Sequence, residues 1–198
     1  MNIKIKSIVT ALALASSFAA FAADPIKIGV SGPYTGGSSP MGVSMRDGVR
    51  LAAAEINAKG GILGRKIELI ERDDEAKNER GVQVSQELIN KEKVVAALGY
   101  INTGVSLASQ RFYQEAKIPV INNVATGSIV TKQFLPPEFP DNYVFRTSAN
   151  DTIQSAMIVK EAVDNRKFTK VAILADSTNY GQLGREDLEK RAGAGVAA

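Results

Sequence analysis

From residue 26 onward, apolar positions along the chain follow two alternating periods. Residues 26–30, IKIGV, form a β-rich run between Asp24-Pro25 and Ser31-Gly32-Pro33. A polar, glycine-rich loop is predicted over 31–42. Met45, Val49, Ala52, Ala53 and Ile56 then fall at i, i+4, i+7, i+8 and i+11, the stripe of an amphipathic helix. Lys59-Gly60-Gly61 puts a cation and then glycine where that helix should stop. Residues 66–70 read as a second strand, closed by Asp73-Asp74. A second helix is predicted over 78–91, with Val84 and Leu88 on one face. Residues 94–98 are continuously apolar, as in a strand buried on both faces. A loop over 99–103 leads to a helix over 104–116. A fourth strand, 118–121, precedes Asn122-Asn123-Val124-Ala125-Thr126-Gly127.

This rhythm predicts an α/β fold, a parallel sheet with helices on both faces built from right-handed βαβ units. It breaks at 134–142, where Pro136, Pro137 and Pro140 are too many for a helix. A strand resumes at 143–147, then a helix over 152–164 and a strand over 170–174. Residues 176–181 are polar, and a last helix begins near Tyr180. Residues 23–142 therefore read as a first lobe that lacks its returning elements. Residues 143–147 read as a crossover hinge strand and 148–198 as the start of a second, incomplete lobe. A single long loop inside one domain is the alternative. The few elements after the crossover cannot bury their apolar faces alone, so this part needs something to hold it.

The first 22 residues follow neither period. Lys4 and Lys6 precede an apolar run over 8–22 broken only by Thr10, Ser16 and Ser17, and the run ends in Ala20-Phe21-Ala22. This is the layout of a cleavable secretory signal peptide, too short for a comfortable membrane span. No cysteine follows it, so the expected product is a free chain beginning near Ala23, without stable membrane insertion. The chain has 24 Lys+Arg against 21 Asp+Glu. Two of those lysines lie in the leader, so the rest is nearly neutral and offers no electrostatic case for nucleic acid.

Composition narrows the chemistry further. Cysteine and histidine are both absent, which removes thiol nucleophiles, disulfides, Cys or His metal ligands and an imidazole base. No catalytic constellation, metal site or cofactor is expected. In open α/β sheets, ligands bind beyond the carboxyl ends of the strands. That selects residues 31–42, 73–77, 100–103 and 122–127, three of them rich in Ser, Thr, Asn and Gly. Such loops present hydroxyls and backbone N–H groups at helix N-termini, which suit a carboxylate. Thr103 reads as an N-cap and a donor to that anion, with capping alone as the alternative. Asp73, Asp74 and Glu75 read as a solvated strand end rather than a metal or acid/base cluster. Gly29, Gly32 and Gly36 lack dinucleotide spacing, and Gly60 to Lys66 is short by one for a phosphate loop.

The segments IKIGVSGPYTGG, RDGVRLAAAEINAKGGILGRKIELIERDDEA, GYINTGVSLASQRFYQEAKIPVINNVATG, YVFRTS and VAILADSTNYGQLGRE resemble the leucine/isoleucine/valine-binding protein family. These are periplasmic receptors of branched-chain amino acid ABC transporters, and the resemblance runs through the chain in order after the leader. It implies a periplasmic binding protein-like fold, two α/β lobes that close over a ligand. It implies that Asn102 and Thr103 hold the ligand carboxylate. Ala125, through its carbonyl, and Thr126 face the ammonium, Tyr180 closes from the second lobe, and Ser38 and Ser39 are further contacts. The implied partners are a small amino acid or aromatic or aliphatic carboxylate and an ABC permease. Two departures matter. A disulfide of some relatives would join positions held here by Ala76 and Asn102. The first loop is longer and ends in Met41, which leaves an aromatic carboxylate as a competitor. The acidic partner of the ligand's ammonium would lie beyond position 198. A ligand-sensing receptor of the same fold, or a product without binding activity of its own, are the other readings.

Overall fold

The computed structural model describes residues 24–193. Strand β1 (Ile26–Gly32) leads to helix α1 (Ser39–Ala58), then β2 (Ile67–Asp73) and α2 (Asn78–Gln86), which runs on as a wider turn over Glu87–Lys91. β3 (Ala96–Gly99), α3 (Thr103–Ala116) and β4 (Val120–Asn122) follow, then a 3-10 turn at Ser128–Thr131 and β5 (Val144–Arg146). α4 (Asp151–Val159) continues as a wide turn over Lys160–Asn165, and α5 (Asn179–Ala192) ends the described chain. The five strands form one sheet in the order β2-β1-β3-β4-β5, and all four pairings are parallel. The strand order reverses beside β1, so the loops after β1 and β3 splay apart there and leave a crevice between them.

The two faces of the sheet differ. Ala97, Val120 and Val144 pack with Val105 and Tyr113 of α3 and with Tyr100, Ala125, Val130 and Phe134 in one buried cluster. Val84 of α2 and Leu88 of the wider turn that continues it join Val94 and Ile70 in a second. Each buried side chain of this size is worth ~1.5–3 kcal/mol. Several polar groups inside this layer are paired: Ser106 Oγ lies 2.6 Å from Asn122 Oδ1, and Gln110 Nε2 donates to the Val130 carbonyl at 3.1 Å, while Ser109 Oγ is buried without a partner. Among the described residues the opposite face carries only α1. Between α1 and the sheet lies an open groove of about 760 Å³, lined by Met45, Val49, Ala52, Ile28, Leu69 and Leu98. Phe145 of β5, beyond the reach of α1, is 48% exposed.

Most predicted elements are present, with two differences. α1 begins at Ser39, inside the span read as a loop to residue 42. Pro40 occupies its first turn, where a fixed φ suits a helix start. Gly42 is therefore helical, and a Cβ there would run into the Pro33 carbonyl. The strand read at 170–174 does not form. A strand needs a neighbour for its backbone groups, and no described strand lies beside it. The strand expected over 143–147 is present at its centre, Val144–Arg146, hydrogen-bonded to β4 as the edge of the five-stranded sheet. The helix stop behaves as expected, with Gly60 and Gly61 at φ +103° and +82°. The signal-peptide reading falls on residues outside those described.

Candidate functional site

Three loops meet at the crevice. Asn102 takes the N-cap position of α3, with extended backbone, and its side chain makes no capping bond. Asn102 Nδ2 instead donates to Ser38 Oγ at 3.2 Å, joining the loop after β3 to the loop after β1. Its Oδ1 is buried without a partner. Thr103 is thus the first helical residue rather than the N-cap. It is 1% exposed, and its Oγ1 accepts from the Gly127 N–H at 3.3 Å. That bond ties the loop after β3 to the loop after β4, so a tertiary contact displaces the capping role expected for Thr103. The first turn of α3 keeps N–H groups that no intrahelical carbonyl can accept.

The other predicted residues divide. Ala125 is 1% exposed, and its N–H donates to the Tyr100 carbonyl at 3.0 Å. The Thr126 carbonyl accepts from the Asp151 N–H at 2.9 Å and from Arg146 Nη1 at 3.4 Å. It is engaged by the chain entering α4. Ser39 lies in the first turn of α1. Tyr180 lies in the first turn of α5, half exposed, on a smaller cavity with Asp151, Gln154 and Ser155. No described hydrogen bond links it to the other six. Its neighbours do approach them: a Cβ on Gly104 would come within 2.7 Å of Asn179 Oδ1, and one on Gly127 within 3.3 Å of Leu183 Cδ1. Glycine at 104 and 127 lets α5 come down over the crevice.

At the end of β2 the structure departs from the expectation of a solvated strand end: Asp74 is 1% exposed. Its Oδ2 accepts from Ser31 Oγ at 3.0 Å and its Oδ1 from the Ala76 N–H at 3.0 Å. Burial, with a small push from Asp73, raises its pKa to about 6 against the two hydrogen bonds. Asp73 behaves oppositely. It accepts from the Tyr34 N–H and from Thr35 Oγ1, and these bonds hold its carboxyl below the usual range although partial burial opposes them. Tyr100, fully buried beside Ser31 and Asp74, has its hydroxyl pushed up to about 12, chiefly by desolvation. The signal for Asp74 was in the strand period: Ile70 faces the α2 cluster, and position 74 shares its side of the strand.

Among the described residues no cluster of His, Cys, Asp or Glu has metal-binding geometry. The crevice instead combines backbone N–H donors, hydroxyls and one orphaned amide oxygen. The periplasmic binding protein family model matches residues 25–197. The chain belongs to that family. Leu/Ile/Val-binding protein homolog 2 of Brucella abortus is 34% identical over 166 residues, 84% of this chain and 43% of the relative. An amino acid binding protein of Pseudomonas aeruginosa is 32% identical over 79% of this chain and 40% of its own length. Among solved structures, the branched-chain amino acid transporter substrate-binding protein LivJ of Streptococcus pneumoniae, in complex with isoleucine, superposes with a TM-score of 0.77. It shares 26% identity over 88% of this chain and 48% of that one. A solute-binding protein of an ABC transporter from Rhodopseudomonas palustris, in complex with 3,4-dihydroxybenzoic acid, gives 0.73 at 29% identity, over 88% and 46%. The chain thus spans less than half the length of the relatives it matches. These relatives are binding proteins, and among the described residues no helix is long and apolar enough to cross a membrane.

Proposed function

We propose that this chain carries the carboxylate-holding half of an extracytoplasmic solute-binding protein that serves an ABC uptake transporter. The observation that carries this reading is the crevice at α3. Free N–H groups of its first turn lie beside Asn102 Oδ1, a buried acceptor with no donor. A ligand with a carboxylate at one end and an ammonium or hydroxyl near it satisfies both. Amino acids and hydroxylated aromatic acids fit that description, and relatives hold examples of each. Ser38, Asn102 and Thr103 are assigned to the carboxylate end, with Asn102 Oδ1 accepting from the adjoining ammonium or hydroxyl, which Ala125 and Thr126 also face, Ser39 to the rim and Tyr180 to the closing side. No catalytic role is assigned to any of them.

In this reading residues 1–22 direct export to the periplasm, 23–142 form lobe one, 143–147 a hinge strand and 148–198 begin lobe two. A permease reads the closed, ligand-bound state. Closure draws on both lobes, so the 198-residue chain alone binds weakly. Titrating it with leucine and with 4-hydroxybenzoate should shift the backbone amide signals of Ser38, Asn102 and Thr103 at millimolar ligand. Thr103→Ala should weaken the response about tenfold, or ~1.4 kcal/mol. Absence of any shift there for both ligands overturns the assignment. Micromolar affinity would instead show that closure by a complete second lobe is unnecessary.

A further inference from the structure

Asp74 is a buried carboxylate outside the ligand contacts assigned above, yet it touches the roots of two site loops. Ser31, at the end of β1, gives its hydroxyl proton to Asp74 Oδ2 at 3.0 Å. The Asp74 N–H donates to the Gly32 carbonyl at 3.0 Å, where the chain leaves β1 towards Ser38. On the other side Ser31 neighbours the Tyr100 hydroxyl, which is 3.4 Å from the Tyr113 hydroxyl. The Tyr100 carbonyl in turn accepts the N–H groups of Val124 and Ala125. A Cβ on Gly99 would run into the Ser31 carbonyl, so the two strand ends are in close contact. Asp74, Ser31 and Tyr100 thus form one buried polar line beneath Ser38, Asn102 and Ala125.

We propose that Asp74 is a positioning residue whose charge state sets the order of the loops carrying Ser38, Asn102 and Thr103. The proposal rests on the carboxylate-site reading for its consequence in binding, but its structural content stands on this buried polar line and the Ser31–Asp74 hydrogen bond within it. Ionised Asp74 can only accept, which fixes the direction of both bonds it receives. A protonated Asp74 carries a proton of its own, and Ser31 Oγ is the acceptor within reach. Ser31 must then turn its hydroxyl proton away, towards Tyr100, and the polarity of the line reverses. The groups facing Asp74 do not cancel this effect. Asp73 adds like charge from the same strand end, while Tyr34 from the first loop and Tyr100 from the loop after β3 both stay neutral, their pKa values raised by burial. Lys77, next along the chain, is paired with Glu75 at 2.8 Å. Arg46 lies over the Tyr34 ring, 5.1 Å from its centre.

The sign of the linkage separates this role from a merely structural one. The folded pKa, about 6, lies above the 3.8 of an ordinary aspartate. The stability contributed is therefore fully present below about 3.8 and lost as pH rises through about 6. A carboxylate held ionised at neutral pH costs stability there, while its charge orders the site. Stability and site order should thus move in opposite directions with pH.

The test is amide hydrogen exchange read residue by residue at pH 5 and 7.5 in the 198-residue chain, with the carboxyl carbon of Asp74 followed by NMR. We expect residues 101–104 to exchange about three- to tenfold faster at pH 5, after correction for intrinsic rates, with a midpoint near that of the Asp74 carboxyl. Asp74→Asn should abolish the pH dependence and leave the loop in its acid-form pattern, while raising the melting temperature at pH 7.5. Ser31→Ala removes a hydrogen bond that favours the ionised form and interrupts the line, so it should move the midpoint of the Asp74 carboxyl upward and uncouple exchange at 101–104 from it. The proposal is overturned if exchange at 101–104 is the same at both pH values. It is equally overturned if Asp74→Asn retains the wild-type profile, or if Ser31→Ala leaves the midpoint in place. The Ser31→Ala and carboxyl readouts decide the matter should Asp74→Asn fold poorly. An intact profile without any response to leucine or 4-hydroxybenzoate would sink the carboxylate reading and leave the role of Asp74 standing.

Discussion

Gly81 sits where α2 crosses α3. A Cβ built there would meet Val105 Cγ1 and would lie 2.8 Å from Ser109 Oγ. Val105 and Ser109 are both buried, and neither is the free end of a flexible chain. Gly81→Ala should therefore overpack this contact rather than profit from better helix propensity. The expected loss is about 1–3 kcal/mol, measured as a lower urea midpoint with an unchanged slope. A gain in stability would show that α2 can slide away from α3. Legibility at this scale depended on burial. Asp73, Asp74 and Glu75 are chemically near-identical in the sequence, yet one is tied to Tyr34 and Thr35, one is buried under Ser31 and one is exposed. Only the period of β2 distinguishes them, and residue type alone does not. Thr103 has the right chemistry for an N-cap, and its hydroxyl was taken instead by Gly127, a partner 24 residues away.

Secondary structure was legible where an element finds its packing partner nearby in the chain. β1 to β5 and α1 to α4 each do so, and their period and punctuation matched the structure to within a few residues. Residues 170–174 carry the same β-rich apolar pattern, VAIL preceded by lysine, and form no strand. Pattern states what a segment would bury, not whether a partner is present. The consequence is exposure: Phe168 is 52% exposed and Leu174 fully so. Between Asn165 and Asn179 the chain has no regular structure. Limited trypsin digestion should therefore cut first after Lys167 or Lys170. Arg80 and Arg111 lie within α2 and α3, so sites there should survive until global unfolding. Early cleavage inside either helix would contradict this order.

At the scale of the whole molecule, the sheet raises the remaining question. Parallel sheets are stable when covered on both faces. One face here is sealed by α2 and α3, while among the described residues the other holds only α1 and the open apolar groove beside it. Relatives have more than twice as much chain as the matched part, which is ample to supply a further covering layer. An uncovered groove of this kind should bind an apolar reporter dye. Ala52 lines it and is itself exposed, so Ala52→Asp places a charge in the groove without leaving a cavity in the core. That variant should lose about half of the dye fluorescence and shift the melting temperature by no more than ~2 °C, since exposed substitutions typically stay within ±0.5 kcal/mol. Met157→Asp, on the apolar surface of α4 where Met157 is 68% exposed, should remove a separate portion, and the double variant should remove nearly all of it. If the wild-type chain binds no dye, the groove is closed in solution, and α1 must then pack against β3 and β4 more tightly than its exposed Leu51 and Ala52 imply.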